Sequence, residues 1–192
     1  MRENVHIVGT ASQAGTYVLR IRAYSGRLVW MGKGKRHRQV SFPKGEYLYV
    51  GSARALNPKM ATSLGKRLVR HASRTNGEHQ AIREAIIEVF ASIGLGPADP
   101  RPRAGKSYHW AVDYFLDDPE VELTHVYAIR CSEELETALG KQLELDAATR
   151  IVERGMGAGG VPGNTHLLAV QADDVWWGSI PGRLRDLAGD AT

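Results

Sequence analysis

The chain reads as an α/β fold in which a small central antiparallel β-sheet is flanked by α-helices, and three observations predict it. Short segments between residues 15 and 52 alternate apolar and polar side chains at the two-residue period of strands. Segments near residues 60–93 and 135–143 repeat apolar residues at the spacing of a buried helical stripe. Clusters of Gly, Pro and Asp punctuate the two kinds of segment.

Composition bounds what such a fold can be. With 192 residues, 43% hydrophobic and 24% charged, the chain can bury one sizeable core, which excludes wholesale disorder, a collagen-like repeat and a coiled-coil rod. We read residues 1–192 as a single domain, with a core at about 15–170 and a helical insertion at about 74–105. A net charge of +4, from 25 Lys and Arg against 21 Asp and Glu, is mildly basic and not histone-like. Cys131 is the only cysteine, so neither an intrachain disulfide nor a thiolate zinc cluster can form. The amino terminus MRENVHIVGTASQAG lacks the apolar run of a signal peptide, and no stretch of about 18 apolar residues occurs. The expectation is a soluble cytoplasmic protein without a membrane partner.

Taken in order, GTYVLRIRA at 15–23 alternates Tyr17, Leu19 and Ile21 with polar neighbours, predicting a strand with one apolar face. Ser25-Gly26 signals a turn, and Leu28 to Met31 should return as the second strand of a hairpin. Lys33, Lys35, Arg36, His37 and Arg38 crowd into a solvated basic loop. Tyr47 to Ser52 supplies a third strand after Pro43-Lys44-Gly45. Met60, Leu64 and Leu68 stripe a helix over 59–73, with Arg67 and His71 one turn apart beside the stripe.

A second helix is predicted over 78–93, stopped by Gly94, and a Pro- and Gly-rich loop follows to residue 105. YHWAVDYFL at 108–116 and EVELTHVYAIR at 120–130 read as strands. A third helix should start after Ser132 as cap, with Leu135, Leu139 and Leu143 buried. Residues 166–170 should form an edge strand.

If the strands share one sheet and the helices pack on it, Tyr17, Tyr49, Arg67, His71 and Glu136 can converge, and each suits phosphodiester cleavage. A carboxylate such as Glu136 offers a hard oxygen to Mg²⁺ or Mn²⁺. The planar fork of Arg67 matches two phosphate oxygens. A phenol near a cation can take a proton from attacking water, with His71 orienting that water or sharing its proton. Taken singly, each residue has a plainer role as sheet packing or solvated helix face; only the combination carries weight. Gly140, one turn beyond Glu136, leaves room that suits a metal or a strand of DNA. Other chemistries lack support. The glycines of GMGAGGVPG do not follow a strand and open a helix, no Walker-type phosphate loop occurs, and the histidines lack zinc spacing. No dinucleotide cofactor is expected.

The order of these motifs resembles the GIY-YIG nuclease superfamily. GTYVL at 15–19, GEYLYVGSA at 45–53, RLVRH at 67–71, HWAVDY at 109–114 and THL at 165–167 are similar to its small stand-alone branch, across most of residues 15–170. The resemblance implies a metal-dependent endonuclease that hydrolyses DNA phosphodiesters with one divalent metal, Mg²⁺ or Mn²⁺. It puts Tyr17 at the proposed general base and Tyr49 at the second motif tyrosine. Arg67 and His71 fall on the phosphate-binding arginine and its partner, and Glu136 on the metal ligand. Lys33, Lys35, Arg36, Arg38 and Arg70 would hold backbone phosphates. His109, Asp113, Asn164 and His166 are candidates to support the site from behind, or equally to serve as satisfied structural polar groups.

Some positions depart from the pattern. Thr16 and Val50 replace isoleucines, Ala111 replaces a histidine, and residues 155–164 carry no cysteine. RNA as substrate stays open, as do a nucleic-acid-binding module without turnover and a scaffold that docks through the 78–93 helix.

Overall fold

The computed structural model describes residues 2–9, 12–32, 37–54, 57, 59, 63–102, 106–156 and 164–189. In chain order the elements are β1 (Val5–Gly9), β2 (Gly15–Ala23), β3 (Arg27–Met31), β4 (Arg38–Phe42), β5 (Gly45–Ala53), α1 (Leu64–His71), α2 (Arg83–Ser92), α3 (Ala111–Leu116), β6 (Val121–Arg130), α4 (Glu136–Glu144), β7 (Thr149–Ile151), β8 (Leu167–Val170) and α5 (Asp174–Gly189). The α/β class is as expected. Six strands form one sheet in the order β1-β6-β2-β5-β8-β7, and β3 pairs only with β4 in a separate ribbon.

The sheet is mixed, because β1 lies parallel to β6 while its other pairs are antiparallel. The expected hairpin of residues 15–23 with 28–31 does not form. Both edges of β2 are taken, by β5 and by β6, so the chain leaving Gly26 turns out of the sheet and β3 finds β4 instead. Nor is one face of β2 solvated over residues 15–21, because helices cover both sides of the sheet there. Thr16, Val18 and Arg20 are buried along with Tyr17, Leu19 and Ile21. Tyr17, Leu19, Tyr47 and Tyr49 pack under α1, α2 and α3, whereas Val18, Leu48 and Val50 pack under α4 and α5. Arg20 is tolerated in that second layer because Glu46 and Asp174 accept from its guanidinium, which lies 4.8 Å over the Trp177 ring.

Other expectations need correction. Residues 108–116 are not a strand: Val112, Phe115 and Leu116 are buried at helical spacing in α3, and Asp113 accepts the backbone N–H groups of His109 and Trp110 at its start. Residues 167–170 are interior, with β8 between β5 and β7. The first two helices start later than expected, at Leu64 and Arg83, and the third at Glu136, with Ser132 bonded to Glu133 instead of capping it. Met60 of the predicted stripe lies outside the described residues.

Residues 94–96 dock closely on α1 and the chain before β2. A β-carbon at Gly65 would come within 2.9 Å of the Gly96 α-carbon, and the Gln13 side chain bonds both Gly94 and Gly96.

Candidate active site

In the β2–β5 register Tyr17 lies opposite Gly51 and Leu19 opposite Tyr49, which turns both phenols to the face covered by α1. Their ring centroids are 6.3 Å apart. Gly51 is required by this arrangement, since a methyl there would sit 2.5 Å from the Tyr17 ring carbon that bears the hydroxyl. His71, the last residue of α1, has Nε2 2.8 Å from the Tyr17 hydroxyl and its ring centroid 5.8 Å from that of Tyr49. One turn earlier, Arg67 donates to the Ser52 carbonyl and lies 4.5 Å over the Trp110 ring.

The acidic member reaches the same spot from the other sheet face. Glu136 is the first residue of α4, where a carboxylate suits the positive end of the helix, and it accepts from the Ser52 hydroxyl. Its other oxygen is 3.1 Å from His166 Nδ1. Arg67 and Glu136 therefore hold the carbonyl and the hydroxyl of one residue, Ser52. Tyr17, Tyr49, Arg67, His71 and Glu136 all meet around the Gly51-Ser52 end of β5.

Gly140 does leave room, but the space is filled. A β-carbon there would come 2.6 Å from His166 Cδ2, so the glycine admits the imidazole that orients Glu136. Asn164 donates to the Thr137 carbonyl at 3.4 Å and so steadies the first turn of α4.

Asp113 is fully buried behind His71. Besides the two backbone N–H groups, it accepts a two-pronged pair from Arg70 at 3.0 and 3.1 Å, and one oxygen lies 3.5 Å from His71 Nδ1. Arg70, expected among the phosphate-holding residues, is thus engaged by Asp113 and by the Trp110 ring at 4.7 Å. Arg38 begins β4 and pairs with Glu153 at 3.2 Å. Lys33, Lys35 and Arg36 lie outside the described residues. The His109 side chain is exposed; its N–H bonds Asp113 and its ring lies edge-on to Trp110 at 5.7 Å.

Burial decides the phenols, the His71 imidazole and Lys106, whereas close partners decide the two carboxylates. Burial pushes both phenols well above their usual range, against the opposing charge of Arg67. It lowers His71, opposed by hydrogen bonding and charge from Asp113. Burial would raise Asp113, but His71 and Arg70 hold that carboxyl well below the usual range. It would also raise Glu136, yet His166, Ser52 and Arg67 keep it low, so Glu136 is anionic at neutral pH. Lys106 is buried and pushed down to about 8 by desolvation.

Among the described residues, Arg67 Nε, Lys106 Nζ and His166 Nε2 are buried without a hydrogen-bond partner, and His71 Nδ1 faces Asp113 across 3.5 Å without forming a hydrogen bond. Such atoms are uncommon in folded proteins, and their concentration here suits a region that completes its bonding with a ligand. Ser52 and Trp110 lie inside the motifs GEYLYVGSA and HWAVDY, which gave them no role of their own, and Lys106 carries no motif or spacing that singles it out in the sequence. A separate cleft of about 610 Å³, beside Arg20, His125 and Trp177, lies toward the other end of β2 and includes none of the five.

Compared with known proteins, residues 16–180 match the family described as Domain of unknown function DUF123. No curated protein and no solved structure matches the chain.

Proposed function

The chain belongs to the DUF123 family, and we propose that it is a metal-dependent endonuclease of the GIY-YIG type that hydrolyses phosphodiester bonds in DNA. The observation that carries this reading is the meeting of five side chains, from β2, β5, α1 and α4, around Ser52. They bring a proton relay, a phosphate fork and an anionic oxygen ligand to one place.

In this reading Arg67 neutralises the non-bridging oxygens of the scissile phosphate. The Tyr17 hydroxyl, hydrogen-bonded to His71, takes the proton of the attacking water. Tyr49 packs against the imidazole and keeps bulk water from it. Glu136 would hold the divalent ion. One carboxylate suits Mg²⁺, which keeps several of its waters and takes phosphate oxygens; no cluster of three His, Cys, Asp or Glu among the described residues offers a fuller cage. Bound there, the ion would stabilise charge on the leaving oxygen. In this reading the protein works in the cytoplasm, which its single, buried free thiol supports; no helix among the described residues is long and apolar enough to cross a membrane.

Purified protein incubated with supercoiled, branched and single-stranded DNA in Mg²⁺ or Mn²⁺ tests the reading. Cleavage should require the ion and fall at least about 100-fold in Glu136→Gln, with folding retained. Equal nicking by wild type and variant would assign the activity to a contaminant. The burial of both phenols, 1% and 2% exposed, favours one second reading: a nucleic-acid-binding module without turnover. It predicts salt-sensitive DNA binding that survives chelator, with no substrate cut.

A further inference from the structure

The geometry points to Asp113 as a positioning residue for proton transfer: its carboxylate fixes His71 as the tautomer protonated on Nδ1, which leaves the Nε2 lone pair facing the Tyr17 hydroxyl. This rests on the hydrolase reading above and adds to it the group that decides where the proton goes. Four donors surround Asp113: the backbone N–H groups of His109 and Trp110, at 2.9 and 3.0 Å, and two nitrogens of Arg70. A carboxylate so held stays ionised and can only accept, and its negative charge 3.5 Å from Nδ1 favours the tautomer that carries its hydrogen on that nitrogen over the one that turns a lone pair toward it. Nε2 is then the acceptor in the 2.8 Å contact, and the phenol is the donor. The titratable groups that face this imidazole are Tyr17 from β2, Tyr49 from β5, Asp113 from α3, Arg70 from α1 and, by charge, Lys106.

A buried phenol cannot be kept as a free phenolate at neutral pH, and this arrangement removes the need for one. As the water oxygen bonds to phosphorus, its proton passes to the Tyr17 oxygen while the proton of Tyr17 passes to His71 Nε2. The bond from phosphorus to the leaving oxygen breaks, with the electron pair going to that oxygen, which solvent protonates. The imidazolium is compensated by the Asp113 carboxylate and returns its proton through the Tyr17 oxygen to water, restoring the neutral ring.

Nitrogen-15 NMR of the full-length wild-type protein at neutral pH should show His71 protonated on Nδ1 and bare on Nε2; the opposite tautomer overturns the inference whether or not DNA is cut. In Asp113→Asn an amide N–H can face Nδ1, so the tautomer should invert. Then kcat, measured on fully bound DNA, should fall by about 10³–10⁴-fold, and adding Tyr17→Phe should lower it little further. A loss of kcat without a tautomer change would reduce Asp113 to a support for α3 and overturn the proposal. If the variant does not fold, as circular dichroism would reveal, the wild-type spectrum still decides. Should the wild type cut no phosphodiester, the hydrolase reading fails, and the relay's part in cleavage with it, even if the spectrum shows the stated tautomer.

Discussion

At Gly140 the missing side chain lets His166 reach Glu136. Gly140→Ala should therefore separate folding from activity. Alanine favours the helix by about 1 kcal/mol over glycine, but its methyl would displace an imidazole that holds one oxygen of Glu136. We expect a melting temperature within a few degrees of wild type and nicking slowed at least tenfold; a wild-type rate would show that His166 does not position the carboxylate. Lys106 gives a pH prediction. Folded, it loses its proton near 8 instead of its ordinary 10.5. Between those values the unfolded chain binds more protons, so this residue's destabilising contribution is full below about 8 and fades as pH rises. Lys106→Met should raise stability at pH 7 by at most about 3 kcal/mol, and by less at pH 10, in paired urea titrations. The comparison should stop near pH 10, where the raised phenols of Tyr17 and Tyr49 begin to act in the opposite direction. The five convergent residues were legible in the sequence because motif order marks them. Ser52 and Lys106 were not, because their roles come from register and burial, which leave no periodic trace.

At the scale of elements, the errors share a physical cause. Residues 108–116 are rich in aromatic residues, which favour strands, yet six residues around one capping carboxylate suffice for α3 once Val112 and Phe115 find the core. Strand positions were readable from alternation, but strand partners were not, since pairing depends on which edges are already taken. α5 shows the limit most clearly. It lies beyond the expected core of 15–170, yet Trp177, Ile180 and Leu184 are at most 1% exposed and pack on Val18, Leu48 and Val50. Removing residues 174–192 would take away three large buried side chains, each contributing roughly 1.5–3 kcal/mol. The loss is comparable to the whole stability of a typical domain. The truncated chain should show no cooperative urea transition, and a sharp one would mean that α5 is an accessory.

Over the whole molecule, the question is where a strand of DNA would run on its way to Ser52. Residues 97–102 make one wall of a cleft of about 500 Å³, lined by Lys59, Lys66, Arg70, Arg101, Asp99 and three prolines. Arg70 shares the Trp110 ring with Arg67, so the cleft leads toward the arginine proposed to hold the phosphate. Its cations are unequal. Arg101 pairs with Glu84 and Asp99, and Arg70 with Asp113, whereas Lys59 and Lys66 form no ion pair among the described residues. Unpaired lysines are the ones that can release counterions on binding phosphate. The double variant Lys59→Gln, Lys66→Gln should thus make the slope of log K against log salt shallower by about 2 for duplex DNA. Cleavage of fully bound substrate should stay near the wild-type rate. Arg38→Gln, already paired with Glu153, should change the slope by less than about half as much as one lysine. An unchanged slope in the lysine variant, measured by fluorescence anisotropy over a salt series, would move the DNA path away from this cleft and back to the basic residues 33–38.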